Sequence, residues 1–550
     1  MHADAVPLQR ILNSNLQMII PIFQRPYSWE KEQIRTLWDD IIKLYSNINK
    51  NENATHFLGP IVRVDVSKST VDTRKLYLID GQQRITTLMI LLACIRDKLK
   101  NDEAIVRKIE SGYLLNYEES GENRYKLIPS EPDREIFRKL INGEMVSENT
   151  KLTQCHEFFT KKLDSLNDKI DLEKLRGCII NNLILVNIDV DKDENPYLIF
   201  ESLNAKGTPL TQADLIRNYI FMKIGSEEKQ KELYKEYWRP MEILLGNELE
   251  NFFWRYSLKD GTFVKIKRTY ANLKSELETN SEKSAESELK KLNEYSVYYS
   301  RLINPEKEPD LNLRKRFIRH NRWEIRTEYP FLLNLYKDYK EKQITSEQFC
   351  EILDIIESFV IRRFFCKEPT NKLNNLFISL YKNLDKLNII ESLKIQLSKD
   401  CPSDEKFEEG LKTFPIYSSG TEKCRLILET IEEFFHHKEP VIFEGLQIEH
   451  IMPQVGEDPE KLPPYWKEML GPNYKIIHKN YVHTLGNLTL TGYNQDLSTK
   501  PFNEKKELLK QSHLELNKYF EKIQVWDEAS INARSKELIK IAKKIWKDLR

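Results

Sequence analysis

Short apolar runs rich in valine, isoleucine and tyrosine recur along the first part of the chain and predict β-strands. These runs occupy residues 17–23, 57–66, 75–80 and 183–190. Between them, apolar residues spaced three and four positions apart over 30–48 and 84–99 predict amphipathic helices. The mixture of the two patterns predicts an α/β domain over residues 1–208.

The apolar pattern then changes, as glycine becomes scarce and strand-like runs stop. Residues 209–440 keep a helical spacing, for example over 349–365, and predict a helical middle domain. In the tail, residues 446–454 are typical of a strand that leads into a loop, and 481–509 of a short hairpin followed by a helix. We therefore predict a multidomain α+β protein whose third domain spans 441–550.

The composition fits a soluble globular protein with more than one core. A chain of 550 residues is too long for a single core, and 40% hydrophobic with 31% charged residues is typical of folded chains. Lysine plus arginine and aspartate plus glutamate number 85 each. Because the net charge is zero, it gives no indication of a nucleic-acid partner, and any basic surface must be local.

The cysteines and the apolar runs bear on where the protein works. Seven scattered cysteines without a Cys-x-x-Cys pair argue against a thiolate zinc site and predict reduced thiols. The longest apolar run, residues 88–95, is far shorter than the roughly 20 residues that a membrane span needs. No signal-peptide pattern opens the chain. We expect a cytoplasmic protein that has no membrane partner.

Five residues that a buried core would not select stand where the predicted strand 75–80 meets the predicted helix 84–99. They are Asp80, Gly81, Gln82, Gln83 and Arg84. Open α/β sheets bind ligands at strand ends, and the N-terminus of the next helix, expected at Arg84 or Ile85, favours an anion. Gly81 allows a close approach of the backbone, and Arg84 can hold a phosphate through two hydrogen bonds. The stretch predicts a phosphate-binding turn.

The other three residues of this turn admit several roles. The amides of Gln82 and Gln83 can read base edges or sugar hydroxyls without titrating. Asp80 can hold Mg²⁺, orient a water molecule or anchor Arg84. The simpler alternative is a capped helix with Asp80 as its N-cap, and it leaves the two glutamines unexplained.

A second stretch, residues 20–41, has the same layout of an apolar run, a polar turn and a helix. Gln24, Arg25, Tyr27 and Trp29 directly precede the helix. Guanidinium and aromatic side chains together can clamp a phosphate and stack on a base. The alternative for Tyr27 and Trp29 is packing in the core.

A third stretch, residues 197–221, places Asn204 and Lys206 in a loop between two helical runs. Thr211 and Asp214 predict a capping box at the start of the second helix. A loop that carries Lys-Gly can approach a phosphate. No Walker-A pattern exists in the chain, which excludes a P-loop as the nucleotide site.

The tail carries the residue types that phosphodiester hydrolysis needs. Glu449 and His450 are adjacent at the end of a predicted strand, Asn487 follows in the predicted hairpin, and Asn494 begins a helix. This is the order of side chains in ββα-metal (HNH) nucleases. His450 is the predicted general base, and the oxygens of Glu449 and Asn494 are predicted ligands of Mg²⁺ or Mn²⁺.

The remaining residues of the set support these roles. Asn487 is expected to tie down the loop that orients His450. Lys500 and Lys505 are expected to contact DNA phosphates. Glu449 stands where many HNH enzymes carry aspartate, so the carboxylate is kept.

Several of these segments resemble one protein family. IFQRPYSW, LIDGQQRITTL and FESLNAKGTPLTQADLIRN resemble the N-terminal, ParB-related domain of GmrSD-type restriction endonucleases. Residues 356–377 resemble the helical middle region of that family. IEHIMPQ, GNLTL and residues 526–546 resemble its C-terminal HNH domain. The resemblance implies a ParB/sulfiredoxin-like N-terminal fold and an endonuclease that cuts DNA, including modified phage DNA, in antiviral defence.

The resemblance also implies a role for the N-terminal turns. The turn at residues 80–84 would bind and hydrolyse a nucleoside triphosphate, ATP or GTP, or sense modified DNA. The predicted nucleotide-binding residues are Asp80, Gly81, Gln82, Gln83, Arg84, Gln24, Arg25, Tyr27, Asn204 and Lys206. A homodimer is a further expectation.

Two other functions stay open at this point. One is an RNA-directed or toxin-like nuclease with the same architecture, and the other is a non-cleaving, ParB-like DNA-binding regulator. The complete set of acid, histidine and two asparagines in the tail argues against the regulator.

Two weaker candidate sites also have simpler, purely structural explanations. His436 and His437 lie beside Glu432 and Glu433 and could bind a metal, although a solvated helix face explains them better. The basic stretch 313–326 is either a phosphate-contacting face or a face of helix–helix salt bridges.

Overall fold

The computed structural model describes residues 2–12, 15–48, 54–67, 73–166, 170–190, 210–224, 226–279, 284–437, 439, 441–456 and 458–550. They form two compact units. The first comprises Met1–Ile243 and Lys267–Asn293, and the second Leu244–Ile266 and Glu294–Arg550. The protein is mostly helical, with a mixed α/β sheet near the N-terminus, and it is a multidomain α+β protein as predicted. The division into domains at 208 and 440 stays a prediction.

A six-stranded mixed sheet organises the first unit. Its strands are β1 (His2–Pro7), β2 (Leu16–Ile19), β3 (His56–Asp65), β4 (Arg74–Asp80), β5 (Leu127–Ile128) and β6 (Leu183–Val190). The order across the sheet is β1-β6-β3-β4-β2-β5. β4 pairs antiparallel with β3 and parallel with β2. The four predicted strands are confirmed, whereas β1 and the two-residue β5 had no clear apolar signal.

The first unit also contains many helices, of which Leu8–Leu12 and Leu172–Asn182 pack against strands β1 and β6. The helices of this unit are Leu8–Leu12, Lys31–Ile48, Gln82–Lys98, Glu103–Ile109, Glu131–Ile141, Lys151–Asp164, Leu172–Asn182, Gln212–Lys223, Glu227–Leu233, Arg239–Leu245 and Thr269–Thr279, with Ala285–Ile303 reaching into the second unit. Helix Gln82–Lys98 has the long apolar run because it is buried on nearly every side. The capping box of Thr211 and Asp214 is confirmed.

The second unit consists mainly of helices. They are Leu249–Leu258, Leu311–Arg322, Tyr329–Lys340, Ser346–Phe365, Asn371–Leu380, Ile389–Ser398, Asp404–Thr413, Ile416–Ser419, Thr421–Glu433, Pro464–Leu470, Tyr474–Tyr481, Asn494–Leu497, Phe502–Leu509, Glu515–Lys518 and Glu528–Ile545. Between residues 210 and 440 the described part of the chain contains no strand, as predicted. Among the described helices, none is long and apolar enough to cross a membrane.

The C-terminal part holds a two-stranded sheet. Strand β7 (Gln447–His450) pairs antiparallel with β8 (Leu488–Thr491), so that His450 faces Leu488 across the ladder. The prediction of a hairpin within 481–509 was wrong, because that segment supplies only β8. Its partner strand lies far upstream, and helices fill most of the chain between them.

Candidate functional site

The polar turn of the first unit lies at the end of β4, where helix Gln82–Lys98 begins. Gly81 is the N-cap of that helix, with φ of +88°, and no side chain caps the first turn. The alternative in which Asp80 is the N-cap is therefore wrong, and the helix begins two residues earlier than Arg84. The uncapped first turn of a long helix is a favourable place for an anion.

Gly81 is needed here for packing. A Cβ at this position would lie 2.5 Å from Cγ2 of Ile61 on β3, and φ of +88° is a conformation that other residues rarely adopt. The glycine therefore lets β4 turn into the helix while β3 stays close. This packing role differs from the predicted approach to a ligand.

Asp80 and Arg84 form a half-buried ion pair. Nη2 of Arg84 lies 3.4 Å from Oδ2 of Asp80, and Nη1 donates a 2.8 Å hydrogen bond to the carbonyl oxygen of Leu58. Burial raises the pKa of Asp80, while Arg84, the N–H of Gly81 and Arg25 oppose that change. Of the three roles considered for Asp80, anchoring Arg84 is the one with a contact in the structure.

The two glutamines link this turn to the polar turn before helix Lys31–Ile48. Gln83 accepts a 2.8 Å hydrogen bond from the N–H of Ser28 and donates one of 3.3 Å to the carbonyl of Pro26. Gln82 donates through Nε2 to Oε1 of Gln24 at 3.0 Å. The turn at residues 80–84 and the turn at 24–28 thus form one polar cluster.

Two buried amide atoms of this cluster have no hydrogen-bond partner among the residues that the structure describes. They are Nε2 of Gln24 and Oε1 of Gln82, and Nε of Arg25 is in the same state. Both glutamine side chains are buried. Unpartnered buried polar atoms are rare in folded proteins, and they call for an explanation such as a bound ligand or water.

Tyr27 is part of the core. Its ring is buried, its hydroxyl shares a 2.7 Å hydrogen bond with Oγ1 of Thr87, and burial raises its pKa. The ring is therefore not open to stack on a base, and the core alternative holds for it. Trp29 also packs against the core with part of its ring. Asn204 and Lys206 lie outside the described residues.

In the second unit, His450 ends β7 and is buried against a second histidine. Its Nε2 lies 3.2 Å from Nδ1 of His483. The ring of Tyr417 stands edge-on to His450, with centroids 4.4 Å apart, and stacks on His483 at 5.5 Å. Burial, together with the nearby His483, Lys505 and His478, lowers the pKa of His450 to about 3. His450 is thus neutral near pH 7, the form that can accept a proton.

Glu449 pairs with a buried lysine. Nζ of Lys505 lies 2.5 Å from Oε1 of Glu449 and 2.8 Å from the carbonyl oxygen of His450. Burial raises the pKa of Glu449 and Lys505 opposes that change. Lys505 is fully buried, so the prediction that it contacts a DNA phosphate does not fit its position. Oε2 of Glu449 has no hydrogen-bond partner within the described ranges.

Asn487 holds the loop after His450, as predicted. Its Oδ1 accepts from the N–H of Met452 at 2.8 Å and from the indole of Trp526 at 3.1 Å. Its Nδ2 donates to the carbonyl oxygens of Met452 and Val482 at 2.9 and 3.0 Å. Because this amide is completely buried and fully used, its role is structural and it does not contact a substrate.

The last two predicted residues follow β8. Asn494 begins the short helix Asn494–Leu497, which packs near β7, and its side chain lies outside the described atoms. Lys500 is exposed, as a phosphate contact requires. Around Glu449 and elsewhere in the described ranges, no group of three histidine, cysteine, aspartate or glutamate side chains forms a metal cluster.

The weaker candidates are structural. Arg316 and Arg319 pair with Asp354 on helix Ser346–Phe365, and Arg322 pairs with Glu429 on helix Thr421–Glu433. Of the two alternatives for the basic stretch, these ion pairs favour the face of helix–helix salt bridges. His437 bonds Glu432, whose carboxylate also accepts the N–H groups of residues 515 and 516.

Sequence reasoning missed two aromatic neighbours of His450. His483 precedes Asn487 by four residues and lies in the same segment, so its spacing was a usable signal. Tyr417 is distant in sequence and no pattern pointed to it.

Comparison with known protein families gives two matches. The family model of the GmrSD restriction endonuclease N-terminal domain matches residues 8–221. The family model of the GmrSD restriction endonuclease C-terminal domain matches residues 401–541. No curated protein matches the chain. Both polar clusters lie inside the matched ranges, one in each.

Replacing Asn487 tests its structural role. Asn487→Ala leaves the buried backbone groups of Met452 and Val482 and the indole of Trp526 without partners. Each such group costs about 1–3 kcal/mol, so we expect a loss of roughly 3 kcal/mol or more in the free energy of unfolding, measured by urea titration. Asn487→Asp, which keeps the shape of the side chain but turns an oxygen toward the two backbone carbonyls, should lose at least as much. The exposed Asn473→Ala is the control, and an Asn487→Ala midpoint equal to that of the control would contradict the assignment.

Proposed function

Because the chain belongs to the family of GmrSD-type restriction endonucleases, we propose that it cuts DNA by metal-dependent hydrolysis at the site around β7, in the manner of HNH nucleases. The observation that carries the proposal is His450. It is a buried imidazole at the end of β7, adjacent to a carboxylate with one oxygen that has no hydrogen-bond partner in the described part of the chain.

His450 serves as the general base in this proposal. Hydrolysis of a phosphodiester needs a group that takes a proton from the attacking water, and neutral imidazole does so. The edge-on ring of Tyr417 and the contact with His483 hold the imidazole in one plane. Asn487 fixes the backbone just after it. In this proposal the exposed Lys500, beyond β8, contacts a phosphate of the substrate.

The residues present fit a hard divalent cation. Oε2 of Glu449 is a carboxylate oxygen without a described partner, and Asn494 begins a helix packed near β7. Carboxylate and amide oxygens are the ligands that Mg²⁺ prefers. These two residues would hold Mg²⁺ or Mn²⁺, which when bound stabilises the charge that develops on the phosphate and on the leaving oxygen. The Lys505 ammonium opposes the rise that burial causes in the pKa of Glu449.

A second proposed activity lies in the N-terminal cluster. We propose that the uncapped start of helix Gln82–Lys98 and the unpartnered amides of Gln24 and Gln82 bind a nucleoside triphosphate, ATP or GTP. The helix end and Arg84 suit the phosphates, and the amides suit the base or sugar. Hydrolysis of that nucleotide would regulate the cut, and sensing of modified phage DNA by the same turn is the alternative.

The rival functions differ in substrate or in chemistry. An RNA-directed nuclease would use the same histidine and would differ only in its substrate. Cleavage assays on RNA and DNA of the same sequence distinguish the two. A non-cleaving regulator would leave DNA intact under every condition.

The first test concerns the base. His450→Ala should lower the nicking rate on plasmid DNA about 10²–10⁴-fold, the usual contribution of a general base. The thermal midpoint and nucleotide binding should stay unchanged, as they should for the exposed control His513→Ala. A loss of only a few-fold would contradict the role of His450.

The second test concerns the cation. EDTA should stop nicking, and added Mg²⁺ or Mn²⁺ should restore it, because both are hard cations with oxygen ligands. Glu449→Gln, which keeps one carbonyl oxygen but loses the charge, should need a higher Mg²⁺ concentration for half-maximal nicking. Cleavage that persists in the chelator would show that no such cation acts.

The third test concerns the nucleotide. Arg84→Ala removes a charge-assisted contact of roughly 1.5–3 kcal/mol, so affinity for ATP or GTP by calorimetry should fall about 10- to 100-fold. Arg84→Lys should restore it only in part, because the forked donor geometry is lost. The exposed Arg35→Ala in the same unit is the control.

Unchanged nucleotide affinity in Arg84→Ala would remove the nucleotide from this turn. The same variant then separates the other two roles. Loss of discrimination between modified and plain DNA would indicate a sensing loop, and no loss would leave only a helix start.

A further inference from the structure

A second histidine lies in contact with the proposed base. We propose that His483 is a positioning residue for His450, which it holds in the tautomer that leaves Nδ1 free to accept a proton. This inference rests on the proposed nuclease function. Its starting observation is the 3.2 Å distance between Nε2 of His450 and Nδ1 of His483.

Only one of the two hydrogen-bond arrangements allows His450 to act as a base. A neutral imidazole has one N–H donor and one acceptor nitrogen. If His450 donates through Nε2–H, its Nδ1 keeps the lone pair. If it accepts at Nε2, its Nδ1 carries the proton and cannot take another from water. Nδ1 of His450 has no hydrogen-bond partner within the described residues, so the first arrangement leaves it open.

Tyr417 holds the ring of His483, the hydrogen-bond acceptor, in a fixed orientation. The two rings are nearly parallel, 12° apart, with centroids separated by 5.5 Å. The backbone N–H of Tyr417 also donates a 3.3 Å hydrogen bond to the carbonyl of His483. The same tyrosine ring stands at 79° to His450. One aromatic ring therefore sets the planes of both imidazoles and, with them, the direction of the hydrogen bond between their nitrogens.

The surroundings favour a neutral acceptor over a carboxylate at this point. Lys505 and His478 are the other charged or titratable groups that act on His450. In many hydrolases a carboxylate orients the base and stabilises its positive form. Here the partner is another imidazole, which orients the ring without adding a further negative charge to that of Glu449 at a site for DNA phosphate. The oriented base is thus obtained without additional repulsion of the substrate.

The test compares His483→Leu and His483→Asn in the full-length protein, with DNA nicking in Mg²⁺ as the assay. His483→Leu removes the acceptor and should lower kcat about 10- to 100-fold, the usual effect of losing a supporting hydrogen bond, with KM for DNA unchanged. His483→Asn should recover most of kcat, because its amide oxygen can accept near the position of Nδ1. The exposed His513→Leu, in the same C-terminal region, is the matched control.

The outcomes separate this inference from the function on which it rests. Wild-type kcat in His483→Leu, or no recovery in a folded His483→Asn, would overturn the role of His483. If His450→Ala still cuts, the proposed function fails and this inference fails with it. An inactive His450→Ala beside a fully active His483→Leu rejects only His483.

A spectroscopic measurement decides the case in which His483→Leu does not fold. Imidazole ¹⁵N spectra of the wild-type protein report which ring nitrogen carries the proton. A proton on Nε2 of His450 supports the inference. A proton on Nδ1 overturns it, whatever the variants do.

Discussion

The C-terminal site depends on the four hydrogen bonds of one buried amide, that of Asn487. It bonds both backbone groups of Met452, which follows His450 by two residues, and the carbonyl of Val482, which precedes His483 directly. Two distant segments are thereby held so that their histidines meet. A buried amide without partners is costly, and because each hydrogen-bonding site of this one is used, the loop has one favourable conformation.

Charge burial is the second constraint on this site. Lys505 is fully buried, and within the described residues its ammonium has a carboxylate and one carbonyl as partners. Such a pair adds little stability compared with apolar residues of similar size, although removing one partner is severely destabilising. The pair therefore contributes placement more than stability. It fixes the side chain of Glu449 and the backbone of His450 through one group, and so couples the predicted ligand to the predicted base.

The sequence predicted what local patterns determine. Buried strands such as 75–80 give continuous apolar runs, and Thr211 with Asp214 gives a cap whose spacing is fixed by the helix. The pairing of β7 with β8 is not local, and the predicted hairpin failed for that reason. Lys505 shows the same limit at the site, because a sequence displays the charge of a lysine but not its burial. The neighbour Tyr417 is brought to His450 only by the fold.

The N-terminal and C-terminal clusters differ in the kind of group that lacks a hydrogen-bond partner. In the N-terminal cluster Arg84 is paired with Asp80, whereas Nε of Arg25 and atoms of the neutral amides of Gln24 and Gln82 stay without a partner in the described residues. A buried charge without a partner is far more costly than a buried amide. Because the Arg84–Asp80 pair is made and most of the unpartnered atoms belong to neutral amides, the cluster can stay folded without a ligand. The cluster also gains specificity. A ligand that hydrogen-bonds to those atoms removes the free-energy cost of burying them without partners, whereas a ligand that does not leaves that cost in place.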